Sequence, residues 1–214
     1  MRIGFIGAGW LTEVMSRHLL KAGHEVVVSN SRGPETLTDF AAKIGPGAKP
    51  GTKADAVKSD IVILAVNWVD AKKALEGIEW DGQILIDATN AHADNPVDIS
   101  LEGVTRSRAL LAQTGRTSSE LVAEWAPGAR LVKSISNVPM EWINDFSDDK
   151  PRTVLFASGD EVEAKRVVID LLNDLGFAAI DLGSLAAGGA LHEVGAPLSG
   201  LEFHFVRRMR PEAR

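Results

Sequence analysis

Apolar and polar positions along the first thirty residues change period twice. Ile3, Phe5 and Ile6 form a short apolar run, which Gly7-Ala8-Gly9 breaks. Leu11, Val14, Met15, His18, Leu19 and Ala22 then recur at the spacing of one helix face, Gly23 stops that face, and Glu25 to Ser29 carries the next apolar run. This predicts strand, helix, strand with a right-handed crossover. The same reading predicts a helix over Thr36 to Ile44 with Leu37, Phe40, Ala41 and Ile44 inward, a short strand at Ala48 to Pro50, and a short helix at Lys53 to Val57. The unbroken apolar runs at 60–66 and 83–89 predict strands buried on both faces, with a helix from Trp68 to Leu75 between them.

The stretch 90–109 is polar without clear period and is expected to form a loop over a cleft. Order returns with a helix from Thr117 or Ser118 to Trp125, ended by Pro127-Gly128, and a strand from Leu131 to Ile135. A further strand-helix-strand follows, its helix marked by Val162, Ala164, Val167, Val168, Leu171, Leu172 and Leu175, with Asp160 as the expected cap. The sum is an α/β chain, Rossmann-type and doubly wound. A mostly parallel sheet should fill residues 1–140, and a small C-terminal βαβ lobe, 141–214, should pack on it.

Composition narrows the function. Apolar residues make up 45% of the 214, enough for a sizeable core, and the net charge of −6 offers no basic stripe for nucleic acid. Cysteine is absent, which removes disulfides and thiolate chemistry and fits a cytoplasmic protein. The N-terminus does not read as a signal peptide, and no apolar run approaches the ~20 residues of a membrane span. The five histidines show no ligand spacing, so no metal is expected. From Gly188 to Phe205 the chain is glycine-rich and then alternating, and is expected to pack on the C-terminal lobe or on a second subunit as a homodimer.

The candidate chemistry lies at the strand ends. Gly7, Ala8 and Gly9, followed by Trp10 and Leu11 at a helix start, form the turn that brings backbone N–H groups to a pyrophosphate. Thr12 occupies the third position of that pattern, where glycine is usual; its branched side chain is expected to push the helix outward. At the tip of the second strand an adenosine 2′-hydroxyl would call for Asp or Glu. Asn30, Ser31 and Arg32 stand there instead, and they can donate to a 2′-phosphate. This predicts NADP(H). The loops Ala65-Val66-Asn67-Trp68 and Asp87-Ala88-Thr89-Asn90 should line the same cleft. Asp87 is read as a turn cap, with a catalytic carboxylate as the alternative. His92 and His192 are candidate proton donors, although a lone histidine is more often structural.

The segments "IGFIGAG", "SNSRGPETL", "TSSELVAEWAPGARLVKSISNVP" and "LGSLAAGGAL" span nearly the whole chain, which through them resembles the coenzyme F420-dependent NADP oxidoreductase family, whose fold also serves the cytoplasmic reductase part of the STEAP metalloreductases. The resemblance implies hydride transfer between NADP(H) and a deazaflavin or flavin. Gly7, Gly9, Trp10 and Leu11 would meet the pyrophosphate, and Ser31 and Arg32 the 2′-phosphate. Val66, Asn67 and Trp68 would line the ribose and nicotinamide side, and Ser136, Asn137 and Pro139 would flank the second ring. Trp10, Thr12 and Asn67 depart from the family's pattern, as does the loop from Ala91 to Arg106. Hydride transfer between flat rings needs positioning more than acid–base groups, which suits a sequence with no evident catalytic dyad. The alternatives are an NADP-binding sensor or partner module without turnover, and a reductase of a small imine or carbonyl substrate.

Overall fold

The computed structural model describes residues 1–94, 97–147 and 150–206. Parallel strands β1 (Arg2–Ile6), β2 (Glu25–Ser29), β3 (Ala48–Pro50), β4 (Ile61–Leu64), β5 (Ile84–Asp87) and β6 (Arg130–Ser134) are joined by α1 (Trp10–Lys21), α2 (Thr38–Ile44), α3 (Lys53–Val57), α4 (Trp68–Leu75), α5 (Leu101–Ala112) and α6 (Ser118–Trp125). After α7 (Met140–Ile143) come β7 (Arg152–Ser158), α8 (Val162–Asp174), β8 (Ala178–Asp181), α9 (Gly189–His192) and β9 (His204–Phe205). The sheet runs β3-β2-β1-β4-β5-β6-β7-β8. β7 is antiparallel to β6 and parallel to β8, so the last strand-helix-strand extends the same sheet rather than building another.

Alternation along each strand explains the layers. Ile3, Phe5, Ile61, Ile63, Ile84, Ile86 and Val132 face α1 and α8, packing with Val14, Met15, Leu19, Leu171 and Leu172. Ile6, Val62, Leu64, Leu85 and Leu131 face α4 and α6, packing with Ala71, Leu75, Val122 and Ala126. Gly4 permits the close approach of α3 to β1, since a Cβ there would lie 2.0 Å from the Ala56 carbonyl oxygen. The strand order switches between β1 and β4, with β2 and β3 added on one side and β5 and β6 on the other, and the carboxyl ends of those two parallel strands bound the crevice in which ligands of such sheets sit.

Three expectations need correction. The stretch 90–109 is not all loop, because α5 occupies its second half. Ser100 Oγ accepts from Gly103 N, and Arg106 pairs with Asp94, Asp98 and Glu102. Its inward stripe is Gly103, Ser107 and Leu111, two small residues and one apolar one, so hydrophobic period could not reveal it. Asp160 does not cap α8; its carboxylate accepts Leu185 N, and the helix starts after Glu161 with no side-chain cap. The helix expected over Thr36 to Ile44 is divided, a 3-10 turn at Pro34–Leu37 preceding α2. The C-terminal stretch packs within its own chain, where β9 pairs with β7, and Leu198 and Phe205 join Val154 and Phe156. Among the described residues no helix is long and apolar enough to cross a membrane.

Candidate dinucleotide site

The glycine turn is built by two constraints. Gly7 has φ of +117°, and a Cβ on it would lie 2.0 Å from Ala65 O, so only glycine lets β1 leave the sheet beside the end of β4. Its N–H donates to Ser29 O at 2.9 Å. Gly9 serves differently: it precedes α1 with no side-chain cap, and a Cβ there would meet nothing within 4 Å. Among the described residues no side chain caps α1, and its first N–H groups lack an intrahelical partner. Thr12 is fully buried, and its hydroxyl donates to Gly7 O at 3.0 Å. The branched residue therefore ties the turn to the helix, where glycine would only have fitted.

Opposite the turn, Asn30 organises its own loop. Its Oδ1 accepts Arg32 N (2.9 Å) and Gly33 N (3.0 Å), and its Nδ2 donates to Thr36 Oγ1. Ser31 and Arg32 are exposed, and the Arg32 guanidinium makes no hydrogen bond or ion pair among the described residues. Gly7, Asn30, Ser31 and Val66 line one cavity of about 570 Å3, whose far wall comes from Lys53 on α3 and from Asp70 and Lys73 on α4. Lys53 is already engaged, donating to Ala74 O and Glu76 O at the end of α4. Trp10 stands half exposed at the head of α1.

The other expected residues divide. Asn67 is exposed at the start of α4, but Trp68 turns inward, with its ring 5.1 Å from that of Trp125. Asn90 Nδ2 donates to Ser136 O at 2.9 Å, which joins the loops after β5 and β6. Asn90 Oδ1 and Ser136 Oγ are both buried without a partner among the described residues. Asn137 is buried, its amide contacting Val154 O and Phe156 N on β7 at 3.4 Å, and Pro139 is exposed before α7. Asp87 caps its turn by accepting Thr89 N and Thr89 Oγ1. His192 is fully buried, hydrogen-bonded to Ser158 Oγ, and held down to a pKa of about 3 by burial first and the Lys133 cation second. His92 is half-buried, and burial lowers its pKa against the opposing pull of Asp94 and Asp98.

Sequence reasoning missed Lys133 as a residue in its own right. It is fully buried on β6, 3.7 Å from the Asp87 carboxylate. The signal was present: Lys133 shares strand parity with Leu131, so it had to point inward.

This geometry has counterparts. The chain is 32% identical to the hypothetical protein SMa0349 from Sinorhizobium meliloti, with 96% of this chain and 97% of that one covered at a TM-score of 0.83. Residues 2–91 match the family model for NADP oxidoreductase, coenzyme F420-dependent. By that match residues 2–91 belong to the coenzyme F420-dependent NADP oxidoreductase family. A provisionally assigned F420-dependent NADP reductase from Arthrobacter sp. FB24 shares its fold at 23% identity and a TM-score of 0.66, over 86% of this chain and 85% of that one. Metalloreductase STEAP3 of Rattus norvegicus is 26% identical over 87% of this chain, which spans about a third of the length (34%) of that relative.

Proposed function

We propose that the protein is an NADP(H)-dependent oxidoreductase that exchanges hydride between NADPH and a flat redox partner such as a deazaflavin or flavin. One observation carries the reading: Gly7, at the head of the glycine turn, shares a cavity with Ser31, and the tip of β2 offers Arg32 where NAD sites place a carboxylate. The residues fit a dinucleotide. Gly9 leaves space open before the α1 N-terminus, and the buried, unpaired Asn90 Oδ1 and Ser136 Oγ are an acceptor and a hydroxyl that an amide ligand would satisfy.

Gly7, Ala8, Gly9 and the first N–H groups of α1, from Trp10 and Leu11, would hold the pyrophosphate. Ser31 and Arg32 would hold the 2′-phosphate, on a loop that Asn30 keeps in shape. Ala65, Val66, Asn67 and Trp68 would support the middle of the dinucleotide, and Asn90 the nicotinamide side. Ser136, Asn137 and Pro139 would flank the second substrate, Asn137 by fixing β7 behind it. In this reading residues 1–140 carry the cofactor, and 141–214 support the edge where the second ring is received. Bound NADPH supplies the hydride; the chain supplies orientation and excludes water.

The test has two parts. Calorimetry with NADPH and NADH should give tighter binding of NADPH. NADPH oxidation should then be followed with deazaflavin, FMN, FAD and ferric chelates in parallel. Equal or reversed affinity removes the NADP reading, and tight NADPH binding without oxidation by any acceptor favours a sensor or partner module.

A further inference from the structure

The two family-like segments farthest from the glycine turn meet in one buried polar cluster. Strand register sets Asp87 of β5 beside Lys133 of β6, and Lys133 beside Ser158 of β7; all three are fully buried. Lys133 Nζ donates to Thr89 O at 3.2 Å and lies 3.7 Å from Asp87 Oδ2. Asp87 Oδ1 accepts Thr89 N at 3.0 Å and Thr89 Oγ1 at 2.6 Å, and Ser119 of α6 donates to the other carboxylate oxygen. Gly188 and Gly189 close the cluster from above. A Cβ on Gly188 would come within 2.5 Å of Ser158 Oγ, and one on Gly189 within 3.9 Å of Lys133 Cδ.

A buried ion pair is a weak stabiliser, because apolar side chains of similar volume pack there without the cost of removing two charges from water. It does fix geometry. Here it holds both polar groups of the Thr89 backbone, the N–H through Asp87 and the carbonyl through Lys133. The next residue is Asn90, which reaches over to Ser136 O and leaves Asn90 Oδ1 and Ser136 Oγ unpaired.

We propose that Lys133 and Asp87 are positioning residues that lock the loops after β5 and β6 into the wall receiving the carboxamide end of the nicotinamide. The inference rests on the NADP reading above. It assigns to the pair the nicotinamide half of the cofactor and nothing of the adenosine half, which lies against the glycine turn and the Ser31 loop.

Calorimetry separates the halves, using NADPH and 2′-phospho-ADP-ribose, which has the adenosine half but no nicotinamide. The variants are Lys133→Met and, because that change leaves a buried carboxylate unpaired, the charge-free Asp87→Asn/Lys133→Met. Ser119→Ala serves as a milder third. Thermal melts establish that each is folded. In the parent, NADPH should bind more tightly than 2′-phospho-ADP-ribose. In the double variant that advantage should shrink roughly ten-fold, the worth of one or two oriented amide hydrogen bonds, while 2′-phospho-ADP-ribose binds as before. Ser119→Ala should move the same way by less. Equal weakening of both ligands marks the cluster as scaffold only and overturns the inference, as does an unchanged NADPH advantage in folded variants. A parent chain that binds neither ligand overturns the NADP reading itself, and the inference with it.

Discussion

Arg32→Ala is the most direct probe of cofactor choice. The side chain is exposed and makes no bond within the described chain, while its backbone N–H is held by Asn30 Oδ1 at 2.9 Å. Truncation should therefore leave the loop and the fold in place. A charge-assisted hydrogen bond to phosphate contributes ~1.5–3 kcal/mol, and each ~1.4 kcal/mol is a factor of ten, so NADPH affinity should fall roughly 10- to 150-fold. Exposure and screening by salt favour the lower half of that range. NADH lacks the 2′-phosphate and should bind the variant as it binds the parent. Arg32→Lys should recover only part, since lysine keeps the charge and loses the planar fork. Calorimetry with both cofactors at physiological salt reads all of this. NADPH binding as tight as in the parent, or equal losses for NADPH and NADH, would refute the reasoning.

Asn30→Ala removes the acceptor that holds Arg32 N and Gly33 N; it should weaken NADPH more than NADH at a stability cost of about 1 kcal/mol, and equal effects on both cofactors would count against a shaped 2′-phosphate loop. Gly7→Ala puts a Cβ 2.0 Å from Ala65 O at a φ of +117°, and should cost roughly 3 kcal/mol or more in chemical denaturation, together with cofactor binding. Stability should also fall in acid. Burial, against the hydrogen bond to Ile143 O, lowers His18 to about 4, with Lys150 and Lys21 adding to the shift and Asp145 opposing it, and His192 sits at about 3. Both folded values lie below the ordinary 6.5, so the unfolded chain binds more protons as pH drops. The stability present above pH 6.5 is then lost on the way down, on the order of 3 kcal/mol per histidine near pH 3. His18→Gln should flatten that slope; a melt independent of pH between 7 and 4 in the parent would contradict it.

The parts of the fold that could be read from sequence are those where apolar period and burial coincide. α3 over Lys53–Val57 and α4 over Trp68–Leu75 were expected at those bounds, and the runs at 60–66 and 83–89 became β4 and β5 with their last two residues released into the following loops. α5 escaped because its inward face is Gly103, Ser107 and Leu111, so its cap and its Arg106 ion pairs define it instead of a hydrophobic stripe. Asp160 misled because a cap side chain looks the same in sequence as one that reaches a distant backbone N–H, here Leu185 N.

The site divides along the same line. In the proposed site Gly7, Gly9, Ser31 and Arg32 would act through backbone freedom, open space and exposed donors, which are properties of residue type at a fixed place in a strand-helix-strand unit. Asn90 and Asn137 are placed by partners 46 and 17 to 19 residues away, Asn90 by the Ser136 carbonyl, and no local pattern specifies which way their amides turn. Asn137, expected to flank the second ring, turns its amide to Val154 O and Phe156 N of β7. Lys133 joins the two cases. Strand parity alone sends it inward, but only the register of β5 against β6 supplies Asp87 beside it and Thr89 O above it. An inward lysine at the carboxyl end of a buried strand is therefore a reason to look for a carboxylate on the neighbouring strand, and the loop that such a pair holds is where a variant should be read out.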